Sequence, residues 1–438
     1  MVKSNPQDRE ILRLALPAFG ALVTEPLFLL ADSAIVGRLG TTPLGGLGVA
    51  SQALTTLVGI SIFLAYGTTA AVARQVGAGH RQAAIRQGID GLWLAALIGL
   101  VVLAVGWPLA PRIVLAFGGT AGVSQQAIIY LRISLIGGPA MLSVLAGTGV
   151  LRGLQDTRTP LLVAVAANAL NIALNWALVL GLNWGIAGSA WGTVIAQMAA
   201  GAAYLTVVGR GARRAGVSFA PDLPGIRMAA FAGASLVVRT LALQAVLVLM
   251  TAIAARQSDA AIAAHQVALR TWSLFVFALD AIAIAAQAIT GKCLGAGDTA
   301  GARAATRRMI WWGAAYGAIF SIILLAIRPL LPGLFGVTPQ VRSLLLAVLL
   351  VVIAQQPVAG VVFVLDGVLI GAGDQDYLAL AGLATLAVFS AAAAVAVASG
   401  RGLVALWLAY AVWMLARFAT LTLRAHGSRW LVTGAVRH

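Results

Sequence analysis

The 438-residue chain is 61% hydrophobic and only 10% charged, with a mean hydropathy of +0.97, far outside the range of soluble globular domains. Its formal charge of +16 lies mostly in the breaks between apolar blocks rather than on one face, which argues against a nucleic-acid binder. A lone cysteine, Cys293, excludes a disulfide framework and a cysteine-based metal centre.

The opening MVKSNPQDREILR is too polar to begin a cleavable signal peptide, so the first apolar block is expected to act as the insertion signal itself. That block, LALPAFGALVTEPLFLLADSAIVGRL over 14–39, exceeds the about twenty residues a bilayer span requires. It carries two carboxylates, Glu25 and Asp32, and two prolines, Pro17 and Pro26. Seven positions at 100° each bring the two acids within about 20° of one helix face. Acids inside a membrane are costly unless they line a wet cavity or find partners. Each proline removes a backbone donor and favours a bend, which makes this helix a candidate moving part.

Further blocks follow at 49–73, 88–109, 124–150, 160–181, 185–208, 229–254, 262–290, 309–327, 341–370, 376–398 and 402–423. Twelve spans and an all-α polytopic membrane fold are the expectation. With the N-terminus placed in the cytoplasm, nineteen Lys and Arg fall in inner segments and six in outer ones: Arg38, Arg112, Arg256, Arg328, Arg342 and Arg401. The positive-inside bias therefore puts both termini in the cytoplasm, and the same charges attract anionic lipid.

One offset recurs along the chain. Arg74-Gln75-Val76-Gly77-Ala78-Gly79 returns 218 residues later as Lys292-Cys293-Leu294-Gly295-Ala296-Gly297. Pro139 meets Pro357, Phe117-Gly118 meets Phe335-Gly336, and Gly149 and Gly153 meet Gly367 and Gly371. One ungapped register through loops, glycines and prolines identifies a tandem duplication. Six spans per repeat is an even number, so the halves are related by a pseudo-two-fold axis along the membrane normal. The expected organisation is a six-helix lobe over 1–208, a basic cytoplasmic linker over 209–227, and a second six-helix lobe with a basic tail over 228–438. The glycine loops after spans 2 and 8 follow no β-strand and lack the Gly-Lys-Ser/Thr ending of a nucleotide-binding loop.

The repeats differ in their intramembrane polar residues. Asn168, Asn171 and Asn175 share one face of span 5, whereas the offset sets Glu25, Asp32, Asn171 and Asn175 against Leu243, Met250, Phe389 and Ala393. The asparagines read either as hydrogen-bond glue between helices or as a ligand-facing cluster, and Asn175 matches Asp32 in depth. Tyr130 on span 4 and Thr193 on span 6 are further cavity candidates. In the second lobe Arg239 and Asp280 match in depth and read as a neutralising ion pair or a gating contact. His265 reads as a packed residue, Arg132, Arg270 and Arg417 as side chains snorkelling to a surface, and Asp366 as interfacial. No catalytic motif emerges, so enzymatic activity is not expected. An intramembrane hydrolase or a non-transporting scaffold would show no gradient-driven flux at all.

Together LADSAIVGRLG, the paired GAG loops, NxxNxxxN followed by GIAGSAWGTVIAQ, and IAAHQVAL opening span 8 resemble the multidrug and toxic compound extrusion (MATE) transporters, with the DinF-like branch the nearest in pattern. The resemblance covers nearly the whole chain. It implies two bundles exporting small organic compounds in exchange for protons or sodium, with Asp32 as the coupling carboxylate, Pro17 as a bend-forming proline, and Tyr130, Asn171 and Thr193 in the cavity. Many relatives have an aspartate where this chain has Asn175. Glu25 is therefore the candidate for a second titratable group, with sodium at Asp32, Asn171 and Asn175 as the alternative to a proton. A lipid-linked flippase of the same fold is a further transport reading. No cofactor, no resident metal and no nucleic-acid partner are expected, and the resemblance implies a monomer in the cell's inner membrane.

Overall fold

The computed structural model describes residues 6–118 and 120–436. In chain order the helices are α1 (Pro6–Gly37), α2 (Thr41–Ser61), α3 (Phe63–Gly77), α4 (Arg81–Phe117), α5 (Ala121–Ile136), α6 (Gly138–Gly153), α7 (Arg158–Asn175) and α8 (Gly185–Ala215). They continue with α9 (Leu223–Gln257), α10 (Asp259–Gly295), α11 (Thr299–Ile327), the short α12 (Leu331–Leu334), α13 (Pro339–Gly371), α14 (Gln375–Ala398) and α15 (Gly402–His426). No strand is present among the described residues. Among the described residues, eleven segments are long and apolar enough to cross a membrane, and the α5–α6 pair makes a twelfth if its 56° bend is counted within one span. A polytopic all-helical fold follows from the composition, because helices satisfy every backbone donor and acceptor internally.

The linker expected over 209–227 is helical at both ends, since α8 runs to Ala215 and α9 begins at Leu223.

The 218-residue offset is built into the packing. A Cβ added at Gly99 would collide with the backbone of Pro139, and one at Gly317 with Gln356 and Pro357. Gly149 lies against the backbone of Ala65, and Gly367 against that of Ala283. Gly153 meets Thr69 and Val72, and Gly371 meets Gln287. Such contacts between glycine and backbone let membrane helices approach closely where no hydrophobic effect draws them together. They leave no slack for a register shift, which is why the sequence offset survives ungapped.

The contact pattern divides the chain into one unit of residues 16–233 and another of residues 1–15 with 234–438. In the first, Leu64, Ile89, Leu92, Leu142 and Val150 form one buried cluster, and Val36, Leu47, Val114, Leu131 and Ile186 another. In the second, residues before Leu16 are fastened by charge. Arg308 donates from Nε and Nη2 to Asp8 at 2.6 Å each, Trp312 Nε1 donates to Asp8 at 2.8 Å, and Lys292 reaches Glu10 at 2.9 Å.

The repeats diverge in regularity. Spans 2 and 4 of the first are interrupted at Ile62 and Gly137, while their counterparts α10 and α13 run unbroken. Pro357 leaves the Ile353 carbonyl without its helical donor, and Ser321 Oγ supplies one at 2.7 Å. Span 5 ends in a π-helical turn, Trp176–Gly181, that α14 lacks.

Candidate coupling site in the first unit

Asp32 is 2% exposed on α1. Its Oδ1 accepts hydrogen bonds from Asn175 Nδ2 at 2.7 Å and from Ser189 Oγ at 2.6 Å. Asn175 Nδ2 also donates to Asn171 Oδ1 at 2.9 Å, and Asn171 Nδ2 donates to Thr193 Oγ1 at 3.0 Å. Thr193 Oγ1 lies 3.4 Å from the Tyr130 hydroxyl, which in turn interacts with the Asp32 carboxylate. Six side chains from α1, α5, α7 and α8 thus form one ring of hydrogen-bonding groups around a single acid.

The local sequence explains the ring. Asn171 and Asn175 stand one helical turn apart on α7, as Ser189 and Thr193 do on α8. The helices approach because Gly188 and Gly192 carry no side chain. A Cβ at Gly192 would strike Asn175 Oδ1, and one at Gly188 would lie 3.0 Å from the Leu178 backbone. The π-helical turn begins directly after Asn175, and such turns occur frequently at functional sites.

Both direct bonds to Asp32 fall on Oδ1. Hydroxyl and amide donors converging on one carboxylate suit its ionised form. Asn175 Oδ1 is buried without a hydrogen-bond partner. An orphaned amide oxygen beside an acid is the kind of group a hard cation or a protonated donor satisfies.

The ring gathers Asp32, Asn171, Asn175, Tyr130 and Thr193, and adds Ser189, which the sequence reading omits. Its signal was present: Ser189 precedes Thr193 by four residues in GIAGSAWGT. Glu25 is exposed and makes no hydrogen bond or ion pair among the described residues. Asn168 Nδ2 reaches the Thr24 carbonyl at 3.4 Å, so it ties α7 to α1 away from the acid. Pro17 and Pro26 both lie within a continuous α1.

The second unit corrects the sequence reading of Asp366 and Arg417. Arg239 forms a two-pronged ion pair with Asp366, Nε donating to Oδ1 at 3.2 Å and Nη2 to Oδ2. Asp366 is 7% exposed, because α13 is enclosed by neighbouring helices nearly to its end at Gly371. Arg417 does not snorkel. It is buried 3.6 Å from Asp366 Oδ2, its guanidinium over the rings of Trp413 and Phe363, and it feels the Asp280 carboxylate electrostatically. Arg239 and Asp280 thus belong to a four-residue charge cluster with Asp366, which pairs with Arg239, and Arg417. His265 is fully buried, its Nε2 3.2 Å from Thr251 Oγ1 and its ring against Trp407. No group of three or more His, Cys, Asp or Glu placed to hold a metal occurs among the described residues.

Comparison with known proteins supplies the family. The MatE family profile matches residues 17–177 and again 236–396, together well over half of the chain and once in each repeat. This chain belongs to the MatE family of transporters. The matched segments begin 219 residues apart, within one residue of the repeat offset read from the sequence. Among its relatives, DNA damage-inducible protein F of Escherichia coli is 30% identical over 371 residues, covering 83% of this chain and 81% of that protein. Protein DETOXIFICATION 44, chloroplastic, of Arabidopsis thaliana is 30% identical over 385 residues, covering 84% and 73%. The fold is that of a MATE protein solved in a bent conformation, with a TM-score of 0.88 at 20% identity and 96% coverage of both chains. Together these make the chain a multi-pass membrane efflux transporter of the MATE type and not an enzyme.

Proposed function

We propose that this transporter exports small organic compounds in exchange for protons, with Asp32 as the coupling carboxylate. The observation that carries the reading is the ring around Asp32: a buried acid held by Asn175, Ser189 and Tyr130. Proton uptake at Asp32 removes the charge that orders Asn175 and Ser189. The ring then rearranges, and the cavity it lines changes its fit to substrate. Such coupling requires the acid's proton affinity to differ between the states of the cycle. Solved relatives have been captured in bent, straight and outward-facing conformations, which supports alternating access with α1 bending at Pro17 or Pro26. Glu25, close in register on the same helix, is proposed as a second proton carrier. The Arg239, Asp280, Asp366 and Arg417 cluster is proposed as a neutral brace of the second unit.

Sodium coupling is the second reading, favoured by the unpartnered Asn175 Oδ1, with Asp32 and Asn171 completing an oxygen-rich site. Proteoliposomes given a pH gradient or a sodium gradient, one at a time, separate the two. The proton reading expects dye efflux driven by the pH gradient alone and abolished in Asp32→Asn. Efflux driven only by sodium, or pH-driven efflux retained in Asp32→Asn, overturns it. The charge distribution supports placement in the cell's inner membrane with both termini cytoplasmic, and we propose that the protein works as a monomer.

A further inference from the structure

Span 5 and its duplicate differ in backbone form. Arg158–Gly181 and Gln375–Ala398 each hold 24 residues, so length does not force the difference. The second is a regular α-helix throughout, whereas the first passes into the π-helical turn Trp176–Gly181. The second repeat, whose span carries no asparagine, thus shows that the fold can be built without the turn. A π-helical turn stores one more residue than an α-helix of the same height, and such turns are rare and concentrate at functional sites.

The turn is anchored at both ends. At the inner end stands Asn175, whose Nδ2 donates to Asp32 at 2.7 Å and to Asn171 at 2.9 Å, with Oδ1 in the notch left by Gly192. The Trp176 N–H is already shared between the Ala173 and Ile172 carbonyls. At the outer end Leu182 N donates to the Ala177 carbonyl at 2.9 Å and Trp184 N to the Leu178 carbonyl at 3.0 Å. Gly188 of α8 packs on that same Leu178 carbonyl, and Val179 is fully buried. Residues 176–188 contain no titratable side chain, so the outer anchor is indifferent to pH. The inner anchor depends on the charge of Asp32. Facing that acid, α7 supplies the Asn175 amide, α8 the Ser189 hydroxyl and α5 the Tyr130 phenol, and no charged group acts on it among the described residues.

We infer that the π-helical turn is a register switch for Asn175. While Asp32 is charged, the amide is drawn to it and the turn stays at Trp176–Gly181. Once Asp32 is neutral, the turn steps towards the start of α7 and takes Asn175 into itself, while the outer anchor and α8 keep their places. One residue of an α-helix subtends 100°, so the step swings the Asn175 side chain about 100° away from Asp32. The inference rests on the coupling reading at Asp32 and adds which backbone moves when the charge is lost.

Hydrogen–deuterium exchange read by mass spectrometry, on the full chain in detergent micelles, tests it. Asp32→Asn holds position 32 neutral at every pH. Stepping breaks the hydrogen bonds of the turn, so peptides covering 172–181 should exchange about tenfold faster in Asp32→Asn than in wild type. Peptides covering 186–194 of α8, which share the ring, should not change. Deleting Leu180 removes the stored residue and should abolish the acceleration by Asp32→Asn. Equal exchange of wild type and Asp32→Asn over 172–181 overturns the inference. So does acceleration that extends to 186–194, or that persists when Leu180 is deleted, because either is a loosening of the ring and not a step of the turn. Dye efflux keeps the two readings apart: pH-driven efflux retained in Asp32→Asn removes the coupling reading, whereas efflux lost with unchanged exchange removes only the switch.

Discussion

Gly192→Ala tests the ring without removing any of its polar groups. The added Cβ would strike Asn175 Oδ1 and lie 3.3 Å from Asn175 Cγ and the same distance from its backbone nitrogen. The amide can escape by rotating, but rotation withdraws Nδ2 from Asp32 and from Asn171, now at 2.7 and 2.9 Å. A bond to a charged acceptor is worth about 1.5–3 kcal/mol and a neutral one about 1 kcal/mol. Losing both costs about 3 kcal/mol, a change of roughly a hundredfold in any equilibrium the ring controls. Gly201→Ala is the control, since its Cβ would meet only Ala140, at an ordinary 3.5 Å, and alanine improves helix propensity by about 1 kcal/mol. Dye efflux from proteoliposomes under an imposed pH gradient, with thermal melts to verify folding, reads the result. Gly192→Ala should still fold, melting some degrees below wild type, yet lose most gradient-driven flux, while Gly201→Ala keeps both. If both variants transport like wild type, the ring does not govern coupling.

Other substitutions probe separate parts of the structure. Ser189→Ala removes one of the two donors on Asp32 Oδ1 and should reduce coupled flux about tenfold, as expected for one bond to a charged group; the same efflux assay checks it. Glu25→Gln should leave the melting temperature unchanged, since Glu25 is exposed and unpaired, and should alter the pH profile of transport; flux equal to wild type at every pH would remove Glu25 from the mechanism. Asp366→Asn strands two buried guanidinium groups, on Arg239 and Arg417. Breaking one partner out of a buried pair costs about 3–5 kcal/mol, so denaturation monitored by tryptophan fluorescence should show a large loss of stability, partly restored by adding Arg239→Met.

The sequence was most informative where geometry is periodic. Each of the twelve apolar blocks coincides with a helix or a broken helix pair, because a long apolar run in a bilayer has few other ways to satisfy its backbone. Asn171 and Asn175 were legible as one face of a helix, and Asp32 as an acid at their depth. What depth does not give is azimuth. Arg239 and Asp280 lie at matching levels, but that Asp366 pairs with Arg239 depends on how α9 and α13 are rotated. Ser189 was overlooked because a small hydroxyl among glycines and alanines looks like close packing, and here it serves packing and hydrogen bonding together. The bend at Gly137 had a marker in Gly137-Gly138-Pro139, whereas the π-helical turn after Asn175 had none, being an extra residue accommodated by tertiary contacts.

The division of the chain falls after Ala15 in α1 and after Gly233 in α9, positions 218 residues apart and so equivalent in the two repeats. Each unit therefore contains the opening turns of the other repeat's first helix. A gene fragment encoding one repeat would yield a bundle lacking part of its own complement and carrying turns with no host. Each unit is consequently built from turns encoded in both repeats. A single-repeat ancestor with this architecture would have worked as a pair of identical chains that lent each other their first turns.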